Sequence, residues 1–157
     1  MSPADQDLPA NPFPGIEPFG YEHARLLYRR NAEKRSLFRQ MVMYRGVLLY
    51  GDQGVGKSSL VNAGLMPVAI KEGFVPYRIR VQPTPGRECA VSPPPAGHGD
   101  LSWLAADRSG SGSARTMMVS PQELFDAVER YEGVHAPLLI FDQFEEWITL
   151  FGRAPGT

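Results

Sequence analysis

Gly51-Asp52-Gln53-Gly54-Val55-Gly56-Lys57-Ser58 matches the pattern G-x-x-x-x-G-K-[ST] at every fixed position, and no other stretch of the chain restricts its fold as strongly. Three glycines without a Cβ let such a loop take positive φ and aim successive backbone N–H groups at one point, which suits phosphate oxygens. The flanks agree with this reading. Val47-Leu48-Leu49-Tyr50 is a short apolar run suited to a buried parallel strand, and Ser59 to Met66 predicts a helix ended by Pro67. Strand, glycine loop and helix in that order separate a phosphate loop from an ordinary glycine turn.

Every residue from Gly51 to Ser59 (Gly51, Asp52, Gln53, Gly54, Val55, Gly56, Lys57, Ser58 and Ser59) is therefore a candidate nucleotide contact. Lys57 is expected to reach the β- and γ-phosphates as a point charge. Ser58 is expected to complete the coordination of Mg²⁺, and Ser59 to support the α-phosphate.

A second element lies downstream. Pro137-Leu138-Leu139-Ile140-Phe141-Asp142 predicts an apolar strand ending in a carboxylate, the form of a Walker B strand, with Asp142 as a metal donor opposite Ser58. Gln143-Phe144-Glu145-Glu146 follows at the start of a predicted helix. Hydrolysis needs a group that orients or deprotonates water, so Glu145 and Glu146 are candidate catalytic residues beside Lys57 and Asp142, and Gln143 is a candidate positioning group. The two glutamates also suit the positive end of a helix, and the sequence does not separate their roles.

Composition narrows the classes. Hydrophobic residues at 43%, charged residues at 21% and a net charge of -1 describe an ordinary globular chain with no global pull toward nucleic acid or membrane. Arg25 to Arg45 holds seven Lys or Arg, which a solvated helix face explains. The single cysteine, Cys89, permits no internal disulfide, and scattered His23, His98 and His135 give no zinc spacing. With no 18-residue apolar run and no signal-like N-terminus, the expected location is cytoplasmic.

In chain order, residues 1–11 are expected to be disordered. Asn11 to Phe19 reads as a packed, proline-rich loop whose Phe13, Ile16 and Phe19 seek burial and suit one wall of an adenine pocket. Glu22 to Met43 predicts two helices broken near Arg30-Asn31, the second with an apolar face of Leu37, Phe38 and Met41. Phe74 to Val81 predicts a strand nearer a sheet edge, because of Pro76 and the basic alternation of Arg78 and Arg80. Residues 82–119, rich in Pro, Gly and Ser, predict a flexible insertion. Ser120-Pro121-Gln122-Glu123 is a capping box opening a helix to about Tyr131, with Leu124, Phe125 and Val128 inward and Gly133 closing it.

Three segments together resemble the bacterial STAND-class signalling ATPases of novel STAND NTPase type 1. They are Pro12 to Phe19, Gly51 to Pro67, and Leu139 to Glu146. Two departures stand out: Tyr28-Arg29-Arg30-Asn31 keeps only the aromatic and the arginine of the family's aromatic-Gly-Arg-Glu sequence, and the low-complexity segment replaces a more regular one. The resemblance implies a three-layer α/β P-loop NTPase core over residues 12–157 with strand order 5-1-4-3-2. On that order the chain is a partial domain, truncated before the later strands, the sensor residue and the C-terminal sensor or effector regions.

The expected function is an ATP-binding, and ATP-hydrolysing, Mg²⁺-dependent module of a signal-transduction switch, with self-association or absent C-terminal regions as partners. A second reading is a non-catalytic remnant or interaction module with weak or no nucleotide binding. A nucleic-acid motor is disfavoured by the neutral charge. A GTPase is disfavoured by the lack of an Asn-Lys-x-Asp-like motif, and a small-molecule kinase by the lack of a lid and an acceptor site.

Overall fold

The computed structural model describes residue 9 and residues 11–86, 88–95, 97–104 and 116–151. The expected disorder at 1–11 lies almost wholly outside the described residues, as does the Ser-Gly run within 105–115. The chain divides into two compact units at the boundary between Glu72 and Gly73.

In the first unit, the proline-rich segment leads to a 3-10 turn, Tyr21–His23, and then to α1, Asn31–Met43. The first of the two expected helices is thus only a turn. His23 is buried and organises the entry. The Gly20 N–H donates to its Nδ1 at 3.0 Å, its Nε2–H donates to the Asn11 carbonyl at 2.9 Å, and its ring stacks on Phe19 at 5.3 Å. Phe13 and Ile16, expected to be buried, are 86% and 104% exposed. On α1 the face of Leu37, Phe38 and Met41 is the less exposed one, as its spacing predicts.

Val47–Tyr50 does not form a strand. It pairs with no strand among the described residues, and Leu48 and Tyr50 are 71% and 85% exposed. A lone extended run leaves its N–H and C=O groups to water, so apolar character without a neighbour does not make a strand.

The helix after the glycine loop runs further than predicted. It starts as α2, Lys57–Ser59, passes through a π-helical segment, Leu60–Leu65, and continues as α3, Met66–Lys71. Pro67 does not end it but sits in the first turn of α3. The Met66 N–H reaches back to the Val61 carbonyl, a five-residue step, and this wider turn accommodates the proline's missing donor and bulky ring. Gly64 allows close packing there: a Cβ would come within 3.1 Å of Lys34 and 3.2 Å of Leu27 and Leu60 side-chain atoms. Gly73, at φ 85, follows α3 in the left-handed region that commonly ends helices.

The second unit is a four-stranded sheet, β1 Phe74–Val81, β2 Cys89–Ser92, β3 Met117–Val119 and β4 Ala136–Asp142, in the order β3-β2-β1-β4. β2 pairs antiparallel with β1 and with β3, while β1 and β4 run parallel from Phe74 opposite Ala136 to Arg80 opposite Asp142. This corrects two expectations. β1 is an interior strand, and Pro76 is tolerated because β2 reaches only as far as Arg78, leaving Pro76 with one neighbouring strand. The 82–119 stretch is not one flexible insertion: it supplies β2 and β3, the 3-10 turn Ser102–Leu104, and buried Cys89, Val91, Leu101 and Leu104.

Alternation along β1 sends Tyr77, Ile79 and Val81 into the core and Arg78 and Arg80 to the other face. The core face is closed by Leu101, Leu104, Leu124 and Ala127, and Trp103 links Tyr77 to Tyr131 through ring contacts at 5.0 and 5.6 Å. Burial, with the neighbouring Tyr131 hydroxyl, pushes the Tyr77 phenol well above its ordinary range. Burial also raises the Cys89 thiol to about 11, so this cysteine is a core residue with little thiolate character.

Before β4 comes α4, Pro121–Glu129, opened by the predicted capping box: the Glu123 N–H donates to Ser120 Oγ at 3.2 Å and the Ser120 N–H to Glu123 Oε2 at 2.7 Å. Its inward residues are Leu124, Ala127 and Val128, whereas Phe125, one step round the helix from Leu124, is 51% exposed. Arg130 caps the helix, before Gly133 is reached. After β4, α5 spans Phe144–Phe151. The chain is thus a mixed α/β protein with a four-stranded sheet, and no described helix is long and apolar enough to cross a membrane.

Candidate functional site

The loop Gly51 to Ser59 lies wholly in the first unit. Gly51, Gly54 and Gly56 have φ of 155, 81 and 92, so the two fixed glycines of the pattern and the one between them all use conformations that side-chain-bearing residues avoid. A Cβ at Gly54 would meet nothing within 4 Å, so this glycine is required by backbone conformation and not by crowding. Helical structure begins at Lys57, directly after Gly56, leaving the first N–H groups of the helix at the loop. Lys57 Nζ donates to the Gly51 and Asp52 carbonyls at 2.6 and 2.9 Å, folding the cation back over the loop's own oxygens.

Two neighbours hold this loop from within the unit. The Phe19 N–H donates to Ser59 Oγ at 3.1 Å, tying the proline-rich segment to the helix start. Arg30 Nη2 donates to the Val55 carbonyl at 3.2 Å, and its Nη1 donates to Glu33 Oε1 at 3.5 Å. Arg29 takes φ 58 at the position where the aromatic-Gly-Arg-Glu pattern has glycine. Arg29 therefore takes a left-handed conformation at a cost that a glycine would not bear.

The second unit carries the remaining candidates. Asp142 closes β4, and Phe144 opens α5 with Glu145 and Glu146 in its first turn. Between them Gln143 sits at φ 57, and the Glu146 N–H donates back to the Gln143 carbonyl at 2.9 Å. A left-handed glutamine between strand and helix is the sharp bend that puts the Asp142 carboxylate and the two glutamates at one end of the sheet. Phe141 and Phe144 brace it edge to face at 6.1 Å.

Sequence reasoning missed the partners of Asp142. Its Oδ2 accepts from Arg78 Nη2 at 2.5 Å and from Arg80 Nη2 at 3.4 Å. The signal was present in the basic alternation of β1. What it lacked was the parallel register that sets Arg80 opposite Asp142.

A model of the novel STAND NTPase 1 family matches residues 12–155. The chain belongs to the novel STAND NTPase 1 family. No curated protein and no solved structure matched the sequence. Membership agrees with the resemblance read from the three motif segments, and it makes this novel STAND NTPase chain a nucleotide-binding module by family. The described residues contain no group of three His, Cys, Asp or Glu side chains able to hold a metal by themselves. Of the candidate donors, the Ser58 hydroxyl belongs to the first unit and the Asp142 carboxylate to the second, and both are hard oxygen donors of the type that suits Mg²⁺.

Proposed function

We propose that the chain is the ATP-binding P-loop module of a STAND-type signal-transduction switch. The single observation that carries this reading is the loop itself: three loop glycines at positive φ, running into a helix that begins at Lys57. Gly51 to Ser59 hold the triphosphate through backbone N–H groups and the Lys57 ammonium, which exchanges its two loop carbonyls for phosphate oxygens. Ser58 in the first unit and Asp142 in the second are each an oxygen donor suited to magnesium, which would neutralise phosphate charge. In hydrolysis, water attacks the γ-phosphorus, the β-γ bridging bond breaks toward ADP, and the water is handled by one of three groups: Glu145 or Glu146, which can orient or deprotonate it, or Gln143, by positioning only. The nucleotide state then governs assembly with sensor or effector regions or with further copies.

The test is binding of labelled ATP with Mg²⁺ to the chain and to Lys57→Ala, beside thermal melts with and without nucleotide. Losing charge-assisted contacts worth about 2–3 kcal/mol weakens binding by roughly 30- to 150-fold. The nucleotide-dependent rise in melting point should disappear with it. One observation favours a second reading, a remnant that binds nucleotide weakly or not at all: Val47–Tyr50, which leads into the loop, is exposed and has no strand beside it among the described residues. Equal, negligible binding by wild type and variant would establish that reading instead.

A further inference from the structure

Asp142 is the carboxylate that the proposed function assigns to magnesium, yet it already has cationic partners. Arg78 and Arg80 both come from β1, on the face away from the core, and both donate to the same oxygen, Oδ2. Arg78 makes the shorter contact, and its side chain is 34% exposed against 56% for Arg80 and 22% for Asp142. The backbone fixes this arrangement, since Arg80 is opposite Asp142 and Arg78 stands two residues earlier on the same face. Two guanidinium groups against one carboxylate leave a local charge of +1, and a guanidinium does not lose its proton in any ordinary buffer.

A divalent cation approaching Asp142 therefore meets a carboxylate whose charge is already neutralised, and two like charges beside it. At these separations, in a partly exposed setting, like-charge repulsion exceeds thermal energy. A polyphosphate changes the balance by offering the guanidinium groups anionic oxygens in exchange for the carboxylate, and Arg suits that exchange through its planar fork of donors.

We propose that Arg78, with Arg80 as the weaker partner, is a latch on Asp142: it keeps the carboxylate from free divalent cation until a polyphosphate arrives to take over the guanidinium. This rests on the reading of Asp142 as a metal donor. The latch makes metal binding conditional on nucleotide, so metal alone cannot set the switch.

The experiment is a Mn²⁺ titration of the full chain, read as free Mn²⁺ by electron paramagnetic resonance, without nucleotide and then with ATP. Without nucleotide, Arg78→Gln should bind Mn²⁺ about tenfold tighter than wild type and Arg80→Gln about two- to threefold tighter. The gain should vanish in Arg78→Gln/Asp142→Asn. Unchanged affinity in Arg78→Gln with a cooperative melt overturns the proposal and leaves the ion pair as a staple between β1 and β4. Should Arg78→Gln not melt cooperatively, Arg80→Gln decides the matter, and wild-type affinity in it overturns the proposal. A separate arm tests the underlying reading: if Asp142→Asn leaves Mn²⁺ affinity with ATP unchanged, Asp142 is not a metal donor and the latch falls with it. If Asp142→Asn weakens that affinity while the arginine variants gain nothing, the latch alone is wrong.

Discussion

Two apolar runs of four residues lead into the two motifs, and they end in different conditions. Leu138 to Phe141 lies within β4, matched residue by residue to β1, with Leu139 and Phe141 packed on the core. Val47 to Tyr50 is as apolar, yet it pairs with no strand among the described residues and leaves Leu48 and Tyr50 in water. The difference is a neighbour. A strand gains its hydrogen bonds and its buried face from the chain beside it, so an apolar run specifies a strand only where a partner strand is supplied. The glycine loop tolerates the unpaired lead-in because its shape comes from local glycine conformations and from Arg30 and Phe19, which lie in the same unit.

The largest effect expected from this comparison is in the core. Ile79 is fully buried on β1, and Ile79→Ala should cost roughly 2–5 kcal/mol in denaturant unfolding. Leu48→Ala should stay within about 0.5 kcal/mol. A Leu48→Ala cost near that of Ile79→Ala would show that the lead-in is packed in solution and would end the contrast. Hydrogen exchange sharpens it further, with the β4 amides protected and those of residues 47–50 exchanging quickly.

A smaller change comes from the helix before β4. Ser120→Ala removes the oxygen that accepts the Glu123 N–H and should cost about 1 kcal/mol. An unchanged denaturation midpoint would mean that α4 is held by Leu124 and Ala127 alone.

Smaller still are the two left-handed residues, one beside each motif. Arg29→Gly and Gln143→Gly should each raise stability by about 0.5–1 kcal/mol, the relief of the left-handed penalty less the added freedom of the unfolded glycine. A loss of stability on either change would show that the side chain repays its backbone strain.

At neutral pH the smallest expectation concerns Cys89. Burial holds its thiol at about 11 against an ordinary 9.0, so the folded state keeps a proton that the unfolded state releases. Its contribution is therefore full below pH 9 and is lost as pH rises from there through about 11. Cys89→Ala should make that part of the stability curve flatter, and an identical alkaline slope in both proteins would place the cause elsewhere.

What the sequence made legible is what local chemistry dictates. The glycines of the phosphate loop, the Ser120-Glu123 box and the strand ending at Asp142 all took the expected form, because each depends on residues a few positions apart. What it hid depends on distant partners. Cys89 to Ser92 looks like part of a Pro, Gly and Ser-rich stretch until β1 pairs with it, and Pro76 argues for an edge until the short reach of β2 is known. Arg78 and Arg80 read as the mark of a strand near a sheet edge because only the parallel register with β4 brings them to Asp142.

The π-helical segment Leu60–Leu65 has a geometric consequence. It behaves as one surplus residue wound into an otherwise regular helix, and one residue corresponds to about 100° of rotation. Met66–Lys71 therefore points in a direction that the phase of Lys57–Ser59 would not give. Removing one residue from within 60–65 would restore that phase, turn Met66 and Ala69 away from their buried positions, and return Pro67 to a register where its ring collides with the preceding turn. The surplus residue thus acts as a phase shifter, letting one helix start at a phosphate loop and finish by burying a differently oriented face.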